Sequence, residues 1–312
     1  MRCMRLDRSF KLALNVLFIG AAIFFFARSL HLDADTLARI SPLLAPTNVA
    51  ALVILGVANL LTQHAAWQIL TRQVEASIPY CWSLGIWSYS NVGKYVPGKI
   101  VPLFIRSKAY ARFNVGALRV GYALFLDHFF SLLAAGVVAT LVVARLPTLS
   151  AHIGSLIMVV GAAGAGLVLW PRGANTVTAG LARLAGKESP PALTRPCLLG
   201  CLAIHLAGLF WQGLGMVMLA QVFGAGGMAD MPFLIGALAF ASTVGMLSVF
   251  APAGIGVKDL TLLALLSQVM PAPQAALVAL AARLWTSGTE LLIGFAAFLA
   301  MPSASRPAAR KQ

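Results

Sequence analysis

The sequence predicts an all-α polytopic membrane protein, built as an inverted repeat with about six full spans and two broken, re-entrant hairpins. Of 312 residues, 60% are hydrophobic and 10% are charged, and the mean hydropathy is +0.87. This composition is typical of a chain with several membrane-spanning helices. The formal net charge is +14. The basic residues lie mostly at the ends of apolar segments, where topology and anionic lipid explain them better than nucleic acid does.

The apolar segments divide the chain into six predicted spans. They cover residues 12–30, 48–70, 117–144, 150–170, 197–222 and 273–300. The first resembles the apolar core of a signal peptide, but no A-x-A-like cleavage site closes it, so we expect it to be retained as a span. We therefore treat residues 1–312 as a single integral membrane domain.

A first interrupted segment, at about 80–106, contains the stretch N-V-G-K-Y-V-P-G-K-I-V-P-L-F-I-R. Proline lacks a backbone N–H and glycine favours turns, so Pro97 and Gly98 break the helix, and Pro102 is predicted to add a second break. Broken backbone at membrane depth is tolerated only where it is buried in protein or lines a wet cavity. The predicted substrate-binding residues here are Lys94, Pro97, Gly98, Lys99 and Arg106. For the cations, the alternative is snorkelling to the headgroups.

A second interrupted segment, at about 232–270, has the same character. Its central stretch, F-A-P-A-G-I-G-V-K-D at 250–259, again joins proline, glycine and charge between apolar runs. The predicted hairpin-turn residues are Pro252, Gly254 and Gly256, and Lys258 and Asp259 follow them. We interpret the two interrupted segments as the two halves of one site.

The basic residues predict the orientation of the chain. The positive-inside rule places the N-terminus, the loop 171–196 and the C-terminal tail in the cytoplasm. The segments 48–144 and 197–300 then point in opposite directions, and each is predicted as span, hairpin, span. Inverted repeats with broken helices near the midplane are typical of transporters. The matching features are Trp67-Gln68 with Trp211-Gln212, and Pro97 with Pro252, which lie 155 residues apart.

Charged residues inside the predicted spans are candidates for function. Inserting a charge at the centre of a spanning helix costs about 2.5–3.5 kcal/mol, so a charged residue found there is a candidate for a functional role. Arg283 and Glu290 are seven residues apart, about two helical turns, and therefore share one helix face. We predict that Lys258 and Arg283 bind the substrate, and that Asp127, Asp259 and Glu290 act as coupling groups or counter-charges. The alternative is a set of structural ion pairs and hairpin caps.

Residue types that hold metals or cofactors lack the necessary spacing. The four cysteines form no C-x-x-C pair, and Cys197 and Cys201 are one helical turn apart in an apolar run, which indicates packing. The five histidines show no metal-ligand spacing, and no Walker-type loop is present. For His64 and His205 we expect satisfied core histidines rather than a proton relay. The sequence thus predicts no metal, no cofactor and no enzymatic activity.

Two motifs stand at the interruptions: K-Y-V-P-G-K at 94–99 with Arg106 downstream, and P-A-G-I-G-V-K-D at 252–259. They resemble signatures of the membrane domain of lysylphosphatidylglycerol synthases, and of the stand-alone flippase-like proteins built on that domain. The family patterns resemble P-G-x-x-G-E-x-x-R and P-x-G-I-G-x-[RK]-E. Val101-Pro102 replaces the first Gly-Glu pair, and Asp259 stands where the family usually has Glu. The resemblance covers about residues 10–300.

The resemblance implies a flippase-like transporter of the bacterial inner membrane, with both termini cytoplasmic, that moves an anionic phospholipid or a polyprenyl-phosphate-linked lipid between leaflets. It does not imply lipid aminoacylation, which lies in a separate soluble domain of the bifunctional synthases. The alternative is a non-transporting membrane partner of a glycosyltransferase or lipid-synthesis enzyme, whose hairpin charges would be surface contacts. For transport, we predict that Lys99 and Arg283, one from each half, close on the same phosphate.

Overall fold

The computed structural model describes residues 41–73, 78–95, 100–145, 192–248 and 252–300, together with positions 166, 170, 172–173, 175–176 and 179–180. Within these residues, all regular structure is helical. The eight α-helices that are described from end to end are α1 Pro46–Gln73, α2 Tyr80–Val92, α3 Val101–Tyr110, α4 Ala117–Arg145, α5 Arg195–Val222, α6 Met231–Leu247, α7 Val257–Leu266 and α8 Ala272–Ala300. A short 3-10 helix, Ser41–Leu44, comes before α1 in the sequence.

In the described part of the chain, five helices are long and apolar enough to cross a membrane. Four of them, α1, α4, α5 and α8, match the spans predicted at 48–70, 117–144, 197–222 and 273–300. The predicted spans at 12–30 and 150–170 lie outside the described residues, apart from Gly166 and Trp170.

The fifth of these helices includes α6 and differs from the prediction. The sequence predicts it as the first arm of a re-entrant segment, yet Met228–Leu247 has 20 residues and is long enough to cross. The helix stays unbroken because its proline, Pro232, lies in the first turn, where proline removes no helical hydrogen bond. The interruption comes only after Leu247.

The first interruption lies between α2 and α3. A 3-10 turn, Gly93–Tyr95, follows α2, and α3 begins at Val101. Pro97, Gly98 and Lys99 fall outside the described residues. Pro102 does not break a helix, and that prediction is wrong: it occupies the first turn of α3. A proline there costs nothing, because the N–H that it lacks would have no helical partner.

The second interruption requires glycine at two positions. In the 3-10 turn Pro252–Gly254, Ala253 and Gly254 have positive φ values of 49° and 68°, and Gly256 has 82°. A Cβ on Gly254 would also lie 2.9 Å from the Cα of Gly245 in α6. The turn therefore needs residues that tolerate left-handed backbone and a close backbone contact. The backbone N–H of Gly256 donates to Oδ2 of Asp259 (3.0 Å), which caps α7.

The helices before and after each interruption pack in a reciprocal way. α2 packs against α8, which lies in the second half of the chain, and α6 packs against α4, which lies in the first. α3 packs against α4, and α7 packs against α8. Three of the four pairs of helices also agree in length: α1 and α5 have 28 residues each, α3 and α7 have 10, and α4 and α8 have 29. The fourth pair differs, since α2 has 13 residues and α6 has 17.

Small residues allow these helices to approach closely. Gly294 of α8 faces the side chain of Val92 and the carbonyl of Ser88 in α2, and Gly236 of α6 faces Val142 in α4. Small residues serve this purpose in membrane proteins, where helices associate through packing and hydrogen bonds. α1 docks on α8 in a different way, because Nε1 of Trp285 donates to the carbonyl oxygen of Leu52 (2.6 Å).

Candidate functional site

The two interruptions meet. The 3-10 turn Gly93–Tyr95 contacts the turn Pro252–Gly254, as the sequence predicts for two halves of one site. Beside this contact is a cavity of about 220 Å³. Its charged lining residues are Lys94, Lys258, Arg283 and Glu290. Its neutral polar lining residues include Asn59, Gln63, Tyr95, Ser131, Gln212, Ser242, Thr243 and Ser287.

Arg283 lines this cavity, and two of its three guanidinium nitrogens are unused in the described part of the chain. The residue is only 5% exposed. Its Nη1 donates to the carbonyl oxygen of Ala253 (3.3 Å) and lies 3.8 Å from Oδ1 of Asp259. Its Nε and Nη2 have no hydrogen-bond partner among the described residues. Nε and one N–H of Nη2 form the edge of the guanidinium that binds carboxylate or phosphate with two parallel hydrogen bonds.

Glu290 is neutralised by residues that follow α2. Nζ of Lys94 lies 2.7 Å from Oε1 and 2.6 Å from Oε2, and the hydroxyl of Tyr95 donates to Oε2 (2.9 Å). This contact joins the first interruption to α8. It pairs the carboxylate of Glu290 with Lys94, and the role of Glu290 as a counter-charge for a substrate stays a prediction.

Lys258 makes the cavity positive. It lines the same space and lies within electrostatic reach of Arg283, Lys94 and Glu290. The hydroxyls of Ser242 and Thr243, on α6, also line the cavity and have no hydrogen-bond partner among the described residues. Three cations and one paired carboxylate therefore border the space, with unused hydroxyl groups beside them. This arrangement suits an oxyanion.

Three carboxamides line the cavity and were not predicted. Asn59 and Gln63 come from α1, and Gln212 comes from α5. Nε2 of Gln63 and Nε2 of Gln212 both donate to Oδ1 of Asn59, at 3.1 and 3.2 Å. The sequence could have indicated Asn59 and Gln63, because polar residues four positions apart in an apolar span share one helix face.

Arg106, predicted to bind substrate, does not line the cavity. It is 2% exposed and lies among α1, α2 and α3. Its Nε donates to Oγ of Ser90 (2.8 Å), its Nη2 donates to Oδ1 of Asn91 (2.6 Å), and its guanidinium carbon is 4.2 Å from the ring centroid of Trp67. Cation–π contacts of this kind stabilise a desolvated arginine. We therefore assign Arg106 to the packing of these three helices and leave it out of the site.

Asp127 and the buried histidines form a separate polar group. Oδ1 of Asp127 in α4 lies 3.5 Å from Nε2 of His205 in α5, so the partner of Asp127 among the described residues is a histidine. Nδ1 of His205 is hydrogen-bonded to the carbonyl of Cys201 (2.8 Å), and Nε2 of His64 to Oγ of Ser83 (3.2 Å). Both histidines are buried, as the sequence predicts, but Nδ1 of His64 has no hydrogen-bond partner among the described residues, so its ring is only partly satisfied. No group of three metal-binding side chains occurs within the described ranges.

One comparison with known proteins gives a match. The family model described as the lysylphosphatidylglycerol synthase TM region matches residues 12–294. No curated protein matches the chain. The matched segment includes both interruptions and every residue that lines the cavity. Because the match covers most of the 312 residues, and because the described helices include five apolar ones of spanning length, the chain is a multi-pass membrane protein and belongs to the lysylphosphatidylglycerol synthase TM region family.

Proposed function

We propose that this protein is a flippase-like transporter, not an enzyme, and that it moves an anionic lipid between the leaflets of the bacterial inner membrane. The lipid is an anionic phospholipid or a polyprenyl-phosphate-linked lipid. The observation that carries the proposal is Arg283, a buried cation whose Nε and Nη2 have no partner in the described chain and which lines a cavity. A buried charge with unused donors is costly unless a ligand or water satisfies it.

The size of the cavity favours a lipid headgroup over a whole small molecule. At about 220 Å³, it is smaller than the roughly 300–1,000 Å³ of pockets that enclose drug-sized ligands. A phosphate and the group attached to it fit this space, and the acyl chains stay in the bilayer. Arg283 and Lys258 bind the phosphate in this proposal, and Lys99 of the first interruption joins them from the opposite half.

The reciprocal packing of the helices supports a transport mechanism by alternating access. We propose that the two halves form an inverted repeat and that the interrupted segments are re-entrant, so that each segment, including the long helix α6, enters and leaves the membrane on the same side. The contacts of α2 with α8, and of α6 with α4, tie each interruption to the last helix of the other half. Rocking of the halves then opens the cavity to one leaflet at a time.

The alternative, a non-transporting partner of a lipid-modifying enzyme or glycosyltransferase, predicts surface charges at the interruptions. Arg283 is instead buried, and Lys258 and Glu290 line the same cavity. This placement favours transport.

Cysteine labelling tests the proposed topology. In a variant without the four native cysteines, single cysteines replace four residues that are exposed in the structure: Arg72, Ala111, Met228 and Ala272. Positions 72 and 111 should react with an impermeant maleimide from the cytoplasmic side, and positions 228 and 272 from the periplasmic side. Opposite sides within either pair would mean a full crossing and would refute the re-entrant arrangement.

Reconstitution tests the transport itself. Purified protein in vesicles should bring inner-leaflet fluorescent phosphatidylglycerol to an external quencher at least about tenfold faster than protein-free vesicles do, a difference of about 1.4 kcal/mol in barrier. The protein should accelerate the translocation of zwitterionic phosphatidylcholine much less, because the positively charged choline would lie among three cations. Rates equal to those of protein-free vesicles, across a panel of anionic phospholipids and polyprenyl phosphates, would refute the proposal.

A further inference from the structure

We propose that the cavity contains a second, uncharged subsite formed by the carboxamide cluster, which we define as Asn59, Gln63 and Gln212. This subsite binds the hydroxyl groups of a neutral polyol attached to the phosphate. The transported lipid is then a phosphodiester with a glycerol-like or sugar headgroup. The inference rests on the proposed function, because it assumes that a lipid headgroup enters the cavity.

The hydrogen bonds within the carboxamide cluster leave a defined set of groups for a ligand. Oδ1 of Asn59 accepts from both glutamines, at 3.1 and 3.2 Å. Within the described chain, the amide of Asn59 and the side-chain carbonyl oxygens of Gln63 and Gln212 make no hydrogen bond of their own. The cluster therefore offers donors and acceptors side by side. A hydroxyl group donates one hydrogen bond and accepts others, so a polyol matches this pattern.

The cluster is built into the protein. Asn59 is 9% exposed, and its carboxamide is fixed by two helices. A Cβ on Gly208 of α5 would lie 3.2 Å from Oδ1 of Asn59, so glycine at that position gives the carboxamide its room. Arg283 and Lys258 line the same cavity. The lining thus presents cationic donors together with neutral carboxamides.

The charges in the cavity exclude a cationic headgroup. Glu290 is already paired with Lys94 and Tyr95. Asp259 accepts from the backbone of Gly256 and faces Arg283. No carboxylate of the described lining is left for an ammonium group, which would lie among three cations. An aminoacylated phosphatidylglycerol therefore does not suit this cavity, and an unmodified polyol does.

Binding is the first test, and it does not depend on transport. Short-chain phosphatidylglycerol should raise the melting temperature of the detergent-solubilised protein more than short-chain phosphatidic acid or lysyl-phosphatidylglycerol does. A polyprenyl phosphate that carries one hexose is measured in the same way. Whichever of the two lipids, this one or phosphatidylglycerol, raises the melting temperature more shows whether the headgroup is a sugar or a glycerol. Equal shifts for phosphatidylglycerol and phosphatidic acid, or a larger shift for the lysylated lipid, would overturn the inference.

Variants assign the selectivity to the cluster. Asn59→Leu should lower transport of phosphatidylglycerol about tenfold, the loss expected for one or two hydrogen bonds, and should lower that of phosphatidic acid far less. Gln221→Leu, an exposed position on the same helix as Gln212, is the matched control and should change neither rate. An equal loss for both lipids in Asn59→Leu, at an unchanged melting temperature, would overturn the inference. If the protein binds phosphatidylglycerol selectively but transports no lipid, the polyol subsite is upheld and only the proposed transport function is refuted.

Discussion

Arg283→Ala should abolish lipid translocation in reconstituted vesicles while the protein still folds. The substitution removes the two unused donors of the guanidinium, and each charge-assisted hydrogen bond contributes about 1.5–3 kcal/mol. A loss of about 3 kcal/mol corresponds to a rate at least about a hundredfold lower. Arg283→Lys should recover only part of the rate, because an ammonium keeps the charge and loses the planar fork. Lys99→Ala should behave like Arg283→Ala if both residues bind one phosphate.

The control for this experiment is Arg72→Ala. Arg72 is an exposed arginine at the C-terminal end of α1, so its removal changes the net charge by the same amount outside the cavity. Melting temperatures in detergent identify any variant that fails to fold. Wild-type rates in Arg283→Ala, measured over the whole panel of anionic lipids, would show that the phosphate is bound elsewhere.

Lys94→Met should slow translocation about tenfold, and Glu290→Gln should restore much of the rate when the two changes are combined. Without Lys94, Tyr95 is the one direct partner left to the carboxylate of Glu290 among the described residues. It then competes with the phosphate for Lys258, which lies within its electrostatic reach. The substitution Glu290→Gln replaces the carboxylate by a neutral amide and so removes that competition. Contacting residues typically show coupling of about 0.5–3 kcal/mol, and tenfold in rate lies within that range.

Lys108→Met serves as the matched control for this pair. Lys108 is exposed on α3 and lies over the ring of Phe104, away from the cavity lining. Its substitution should leave the rate unchanged with or without Glu290→Gln. Additive effects of Lys94→Met and Glu290→Gln on transport would mean that the two side chains act independently.

The positions of the long helices follow directly from the sequence. Uninterrupted apolar runs fix α1, α4, α5 and α8 to within a few residues, because their ends are marked by charge or by proline. Arg72 lies in the last turn of α1, and Pro196 lies in the first turn of α5. The two interruptions are equally visible, since proline, glycine and charge rarely occur together inside apolar sequence. Their meeting in space agrees with the expected architecture.

The positions of the polar and charged side chains depend on helix packing, which no local sequence pattern encodes. The inward position of Arg106 results from the way α3 packs on α2 and α4, and a charge near a helix end is equally compatible with the membrane interface. The carboxamide cluster is uncharged and spread over two helices, so neither composition nor spacing joins Gln212 to Asn59. The pairing of Asp127 with His205 likewise joins α4 and α5, which are distant in sequence.

The tryptophan-lined site of Arg106 has a consequence for how the chain enters the membrane. A lone arginine at the centre of a helix costs about 2.5–3.5 kcal/mol on insertion. The hydrogen-bond and ring partners named above, Trp67, Ser90 and Asn91, all precede Arg106 in the chain. The ribosome therefore delivers α1 and α2 before the arginine emerges, and α3 can transfer its charge into a polar site that is already present. The order of synthesis thus spares this helix from exposing a bare guanidinium to lipid.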